Sequence, residues 1–233
     1  VLISNGPLGS SIAQAQGLAY ADQLTKNDRV TVCAISDGGC MEGEAREALA
    51  SIPGLAARGK MNPFVLVISD NNTKLSGRID IDSFSMKGTF ESLQTLGWKT
   101  VFVPNGHDLQ TCANAIEEAI QDAKQNPQRP IALHFKTIKG FGTKKTSESS
   151  TGAHGFPLNE PDLIKEFITE LYGKETPPFE FIKWAEDMQE QAQVKKMRAA
   201  EKKTDATPAP ASDIVNEKVQ NGLTKALLAK AKA

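Results

Sequence analysis

Two short stretches carry the residue types that could do chemistry. The first is Ser36-Asp37-Gly38-Gly39-Cys40-Met41-Glu42-Gly43, and the second is Ser69-Asp70-Asn71-Asn72-Thr73. An Asp followed by two glycines and the start of a helix can aim a carboxylate at a cation. The glycines let backbone N–H groups approach a phosphate. Asn offers a carbonyl oxygen, and a turn there exposes backbone carbonyls as well. Alone, each stretch reads as a turn. Each, however, directly follows a short apolar run, and Asn71 stands 34 positions after Asp37. If the two runs are neighbouring strands, Asp37 and Asn71 meet at one point. Hard oxygen donors with room left for phosphate oxygens suit Mg²⁺.

The elements that must position them are legible as alternating patterns. Residues 30–35, 64–68, 99–103 and 131–135 are short, apolar and rich in β-branched side chains. Runs of that kind read as strands buried on both faces. Helical stretches lie between them. Residues 10–24 are rich in Ala and Gln, with Ser10 or Ser11 as N-cap. Residues 42–58 are good helix formers, although Pro53-Gly54 should kink or break them. Residues 108–125 open on an Asp cap and are followed by Pro127. The alternation predicts an α/β fold: a doubly wound parallel sheet with helices on both faces. Ligands of such sheets sit at the carboxyl ends of the strands, where both polar stretches fall.

Past residue 159 the pattern changes. Residues 161–172 read as an amphipathic helix, Pro177-Pro178 breaks the chain, and residues 179–198 resume a long charged helix. Residues 199–212 are polar and rich in Ala and Pro, the composition of a flexible linker. Residues 213–231 form one more amphipathic helix, with Ile214, Val215, Val219, Leu223, Leu227 and Leu228 on or near one face. The organisation expected is a module over 1–198, a linker over 199–212, and a separate helix within 213–233.

Composition narrows the function further. Lys plus Arg is 27 and Asp plus Glu is 28, a balance that leaves no charge footprint for nucleic acid or an anionic membrane. No apolar run approaches the roughly 18 residues of a membrane helix. No signal peptide is visible at the start. Cys33, Cys40 and Cys112 fit neither a zinc pattern nor a disulfide framework, so a reducing cytoplasm is expected. A nucleotide-binding doubly wound domain would need a Gly-x-Gly-x-x-Gly turn after the first strand, and residues 36–43 do not supply it.

Taken together, the motifs resemble the transketolase family of thiamine-diphosphate-dependent enzymes. Ser36-Asp37-Gly38 through Asp70-Asn71-Asn72 is similar to the thiamine diphosphate fingerprint, which runs from Gly-Asp-Gly to an Asn about 30 residues on. Cys40-Met41-Glu42-Gly43 with Glu47-Ala48 resembles the transketolase extension of that fingerprint. Asn5-Gly6-Pro7-Leu8-Gly9 resembles the family's Thr-Gly-Pro-Leu-Gly turn. Lys139-Gly140-Phe141-Gly142 and Gly152-Ala153-His154-Gly155-Phe156-Pro157-Leu158 resemble its later cofactor-side loop. The match covers residues 5–158 and identifies the diphosphate-binding (Pp) module.

The resemblance implies roles residue by residue. Asp37 and Asn71 would bind Mg²⁺ through side-chain oxygens, with Ca²⁺ able to substitute, and Thr73 would add its backbone carbonyl. Gly38 would offer its N–H to the diphosphate. Gly6 and Leu8 would lie against the cofactor rings, and Leu75 would pack on them. His154 would reach both the diphosphate and the reacting substrate. Glu42 and Glu47 match acidic residues that line the family's dimer interface and link its two cofactor sites. Two departures stand out: Ser36 replaces the first glycine of Gly-Asp-Gly, and Ser76 stands where transketolases commonly have Asp.

The implied activity is transfer of a two-carbon ketol unit between sugar phosphates, in the pentose phosphate pathway, by a homodimer. The family's pyrimidine-binding (PYR) module is not found in the sequence, though residues 213–231 resemble its opening helix. The chain is therefore expected to be a fragment or one subunit of a split enzyme, to need that module from the rest of the protein or a partner, and to be inactive alone. The alternatives are a deoxyxylulose-phosphate synthase, a 2-oxo-acid dehydrogenase E1-like component, or a non-catalytic Pp-like binding or regulatory module.

Overall fold

Each apolar run becomes a strand, and each helical stretch between them a helix. The computed structural model describes residues 3–4, 6–149, 151, 154, 161–204 and 219–231. The chain runs α1 (Ser10–Thr25), β1 (Thr31–Ser36), a 3₁₀ turn (Gly39–Met41), α2 (Gly43–Ala57) and β2 (Phe64–Asp70). A hairpin of β3 (Thr73–Lys74) and β4 (Gly77–Arg78) follows, then α3 (Ile79–Asp82), α4 (Lys87–Leu96), β5 (Lys99–Val103), α5 (Leu109–Gln125), β6 (Ile131–Lys136) and α6 (Lys144–Ser147). A 3₁₀ turn (Pro161–Leu163) leads into α7 (Ile164–Tyr172), and α8 (Phe179–Thr204) and α9 (Val219–Ala231) come last.

The main sheet has the order β1-β2-β6-β5, with every neighbouring pair parallel. Alternation along its strands divides the core in two. On one face Cys33, Phe64, Leu66, Ile68 and Ala132 pack with α1, α2 and α4. On the other, Val65, Ile131, Leu133 and Phe135 pack with Ala119 and Ala123 of α5. Helices on both faces of a parallel sheet are the α/β architecture the alternation predicts.

Local chemistry explains where the elements begin and where expectation needs correcting. Asp108 caps α5, its Oδ1 accepting the Thr111 N–H at 2.7 Å. Neither serine caps α1: the residue before it is Gly9, in the left-handed region at φ 87°, and Ser10 Oγ donates instead to the Pro7 carbonyl at 3.0 Å. Only glycine fits there, because a Cβ on Gly9 would fall 2.4 Å from Glu42 Cβ. Pro53 does not break α2, which runs unbroken from Gly43 to Ala57. The proline removes the N–H that Leu49 O would accept four residues back. The Trp98 indole N–H supplies that bond from outside the helix, at 2.8 Å.

Residues 1–178 and 179–233 cluster as two units. In the second, α8 continues to Thr204, so residues 199–204, expected to open the linker, are helical. Ala199, Ala200, Glu201, Lys202 and Lys203 are good helix formers, which accounts for the extension. Residues 205–218, with the rest of the expected linker and the start of the last helix, lie outside the described residues. Among the described residues no helix is long and apolar enough to cross a membrane.

Candidate functional site

Parallel register brings the two polar stretches side by side. Ser36 at the end of β1 is paired with Ser69 near the end of β2, so the chain emerges from both strands at one level. The Asp37 N–H continues the ladder to Ser69 O at 3.1 Å. The Asp37 side chain is fully buried, 1% exposed. Its Oδ1 accepts the Gly38 N–H at 2.8 Å and its Oδ2 accepts the Asn72 N–H at 2.5 Å. Asn72 reaches that position in the left-handed region, φ 56°, which Asn tolerates better than most residues. Its side chain is locked by α3: Asn72 Nδ2 donates to Asp80 Oδ1, and Asn72 Oδ1 accepts the Asp80 N–H.

Asn71 forms an Asx turn, its Oδ1 accepting the Thr73 N–H at 3.0 Å while Thr73 Oγ1 donates to Asn71 O at 3.1 Å. The Thr73 carbonyl faces the first loop, 3.7 Å from where a Cβ on Gly38 would stand. Asp37, Gly38, Asn71 and Thr73 are thus brought together. The serine at position 36 is accommodated, because its φ is not positive. Its Oγ also accepts the Gly39 N–H at 3.1 Å, which pins the turn. The Gly38 N–H, expected to face a diphosphate, is engaged by the buried Asp37 carboxylate beside it. Gly38 keeps the cradle open by lacking a side chain.

Burial pushes the Asp37 carboxyl up. The Gly38 and Asn72 N–H groups pull it down, the Asp70 carboxylate adds to the upward push, and the result is about 6. Asp70 behaves oppositely. Burial alone would raise it, but the hydrogen bond with His134 Nε2 at 2.8 Å and the Lys136 ammonium at 3.3 Å outweigh that and hold it at about 2. His134 in turn sits between the rings of Phe90, 4.6 Å away, and Phe102, 5.2 Å away. A cleft of about 590 Å³, lined by Asp37, Asp70, Asn72, Asp80, His134 and Lys136 among others, opens beside this cluster.

A consequence follows for metal-free protein. Asp37 has a folded-state value near 6 against 3.8 for an ordinary Asp, so between these values the folded state binds more protons than the unfolded. Its contribution to stability is present below pH 3.8 and is lost as pH rises through about 6. Denaturant titrations from pH 7.5 down to 5 should show this component strengthening in wild type. It should vanish in Asp37→Asn. Parallel pH curves for the two proteins would mean that the carboxyl is not destabilised by burial.

The remaining candidates are arranged around this centre. The Gly6–Gly9 turn packs on the Asp37 loop through Gly9, whose added Cβ would meet Gly39 O at 3.3 Å as well as Glu42. Leu8 on that turn is 63% exposed, and Leu75, between β3 and β4, is 71% exposed. Both are large apolar side chains open to solvent. Glu42 caps the start of α2 in extended conformation and is exposed, as is Glu47. Among the described residues no side-chain hydrogen bond links Glu42 to Asp37. His154 is held by Lys139, whose Nζ meets its Nδ1. Asn5, Gly152, Ala153 and residues 155–158 of the motifs lie outside the described residues. Asp70, Asn72, Arg78, Lys139 and the His134 brace were not singled out from sequence as site residues. Two of them flank Asn71 directly, a signal that adjacency could have given.

The donor set fits a hard divalent cation. It offers one buried carboxylate in want of a cation, one Asn carbonyl and one backbone carbonyl, all oxygen. No group of three His, Cys, Asp or Glu able to hold a metal exists among the described residues, so a site here must use the amide and main-chain oxygens.

The chain is similar to known proteins in sequence and in fold. A sequence profile described as "Transketolase, thiamine diphosphate binding domain" matches residues 1–220. Transketolase of Halalkalibacterium halodurans is 34% identical over 184 residues, covering 74% of this chain and 26% of that protein. Transketolase of Staphylococcus epidermidis is 30% identical over 177 residues, covering 72% and 25%. The chain therefore spans about a quarter of the length of these relatives. Among solved structures, transketolase from Campylobacter jejuni superposes with a TM-score of 0.60 at 24% identity, over 97% of this chain and 33% of that one. An R525L transketolase from Pichia stipitis gives 0.61 at 25% identity, over 85% and 30%.

Proposed function

The chain belongs to the transketolase thiamine-diphosphate-binding family, and from that premise we propose that it supplies the diphosphate- and metal-binding half of a ketol-transferring active site. The observation that carries this is the convergence of Asp37, Asn71 and the Thr73 carbonyl at the ends of two adjacent parallel strands. Asp37 and Asn71 would hold Mg²⁺, or Ca²⁺ in its place, through side-chain oxygens, and Thr73 through its carbonyl. Leu8 and Leu75 would cover the rings of thiamine diphosphate, beside Gly6. When bound, thiamine diphosphate supplies the nucleophilic carbon that adds to a ketose carbonyl and carries the two-carbon unit.

What this chain's residues contribute is binding and orientation. Asp70, fixed by His134 and Lys136, keeps a second carboxylate beside Asp37 and sharpens its demand for a cation. His154 would donate to phosphate oxygens or to substrate. Sugar phosphates are the proposed substrates and the pentose phosphate pathway the proposed setting. A PYR-type module from the rest of the protein or a partner chain would complete the site within a homodimer. On this reading residues 213–233 open that module, and the chain alone does not turn over. Glu42 and Glu47, exposed at the start of α2, would serve the dimer interface. The three free thiols fit a cytoplasmic setting. The relatives named are transketolases, which favours this reading over a synthase or an E1-like component.

Calorimetric titration of thiamine diphosphate with Mg²⁺ tests the proposal. Saturable binding that chelation with EDTA removes is the expected result. No binding, with a transketolase PYR module also present, would refute the cofactor assignment.

A further inference from the structure

Arg78 takes no part in any motif singled out above, and Lys139 opens one without a role of its own, yet both act on the segment that carries His154. Arg78 closes the β3–β4 hairpin directly after the metal loop. Its planar fork bridges two loops, with Nη1 donating to Thr73 Oγ1 at 2.8 Å and Nη2 donating to Ser149 O at 2.9 Å. From Ser149 the connection runs on to His154. Thr151 N–H donates to Ser149 Oγ at 3.3 Å, and His154 N–H donates to Thr151 O at 3.2 Å. One side of the fork therefore grips a proposed metal-binding residue and the other grips the start of the histidine turn.

Lys139 holds the other end of that histidine. It lies half-buried after β6, and its ammonium meets His154 Nδ1. The contact ties the imidazole to the loop that follows β6. Burial pulls the Lys139 ammonium down, and the pull of the Asp37 carboxylate in the other direction places the two charges within electrostatic reach. Lys139 thus stands between the surroundings of Asp37 and those of His154.

We propose that Arg78 and Lys139 are positioning residues that mount His154 at the diphosphate end of the site. The role rests on the cofactor reading above and adds to it. The metal loop and the His154 turn become one mechanical unit, so a phosphate-bearing ligand drawn to the metal meets a donor already oriented.

The test uses the full-length protein carrying Arg78→Met, Lys139→Met or Lys139→Arg. Three readouts are compared: amide exchange in residues 149–154, imidazole ¹⁵N signals of His154, and steady-state kinetics beside thiamine diphosphate–Mg²⁺ affinity. Arg78→Met should speed exchange in 149–154 by roughly 10-fold or more. Lys139→Met should change the His154 imidazole ¹⁵N signals, and Lys139→Arg, which keeps a donor, should restore them. Both Met variants should lower kcat by roughly 10- to 100-fold with KM and cofactor affinity within about 3-fold of wild type. Unchanged exchange and ¹⁵N signals would overturn the mount. Loss of cofactor affinity by about 100-fold in Arg78→Met would also overturn it, by making Arg78 part of the metal loop itself. Failure of the cofactor reading is separately visible, as absence of Mg²⁺-dependent binding in wild type. Exchange and ¹⁵N signals need no cofactor and would still report the mount.

Discussion

Asp37→Asn and Asn71→Ala should each weaken Mg²⁺-dependent binding of thiamine diphosphate by roughly 100-fold or more while the fold survives. The two substitutions act on different atoms. Asn at position 37 nearly matches Asp in shape but removes the charge and turns one accepting oxygen into an NH₂ donor. One of the two backbone donors now served by Asp37, the N–H of Gly38 or of Asn72, would then face another donor. Ala at position 71 removes a proposed ligand and also the acceptor of the Thr73 N–H, so the Thr73 carbonyl loses its anchor. Calorimetry with and without Mg²⁺ reads both effects, and circular dichroism verifies the fold. Wild-type affinity should itself fall as pH drops through about 6, because protons then compete for the Asp37 carboxylate. Affinity unchanged in both variants would remove the metal assignment.

The strands and the fingerprint were legible because their signals are local. Residues 99–103 form β5, although it is an edge strand that leaves Thr100 and Phe102 exposed rather than buried on both faces, and the α5 cap is visible in Asp108. Asp37 and Asn71 could be paired from sequence alone, since parallel neighbouring strands must bring their ends together. What escaped was set by partners far along the chain. Asp70 lies beside Asn71 in sequence, but its charge state depends on His134, 64 residues away. His134 read as a structural strand residue, and it does lie within β6, but its ring meets a carboxylate there. Arg78 shows no pattern at all, and its partner Ser149 is 71 residues away. The short hairpin and α3 were also not singled out, since two-residue strands and four-residue helices have no periodicity to read, and the ten-residue α4 was missed as well.

At Pro53 a partner outside the helix overrules local propensity, and this leads to a large expected effect on stability. Propensity says the proline should kink or break α2, and the helix is not broken because Trp98 satisfies the Leu49 carbonyl. Trp98 is fully buried and packs edge-on against Phe64, with ring centroids 6.0 Å apart. Trp98→Phe should therefore destabilise the protein by about 1–3 kcal/mol from the orphaned carbonyl, with some further loss from the smaller ring. In a Pro53→Ala background residue 53 regains its N–H, which can bond Leu49 O within the helix. Much of the carbonyl penalty should then disappear, leaving a coupling of roughly 1 kcal/mol or more between the two positions. Urea denaturation of wild type, both single variants and the double variant measures it. Equal costs of Trp98→Phe in the two backgrounds would show that the indole bond does not compensate the proline. The effect bears on the site, because α2 begins where the Gly39–Met41 turn ends. A helix that continues through its proline holds the Asp37 loop beside the Asn71 turn, the geometry the proposed metal site requires.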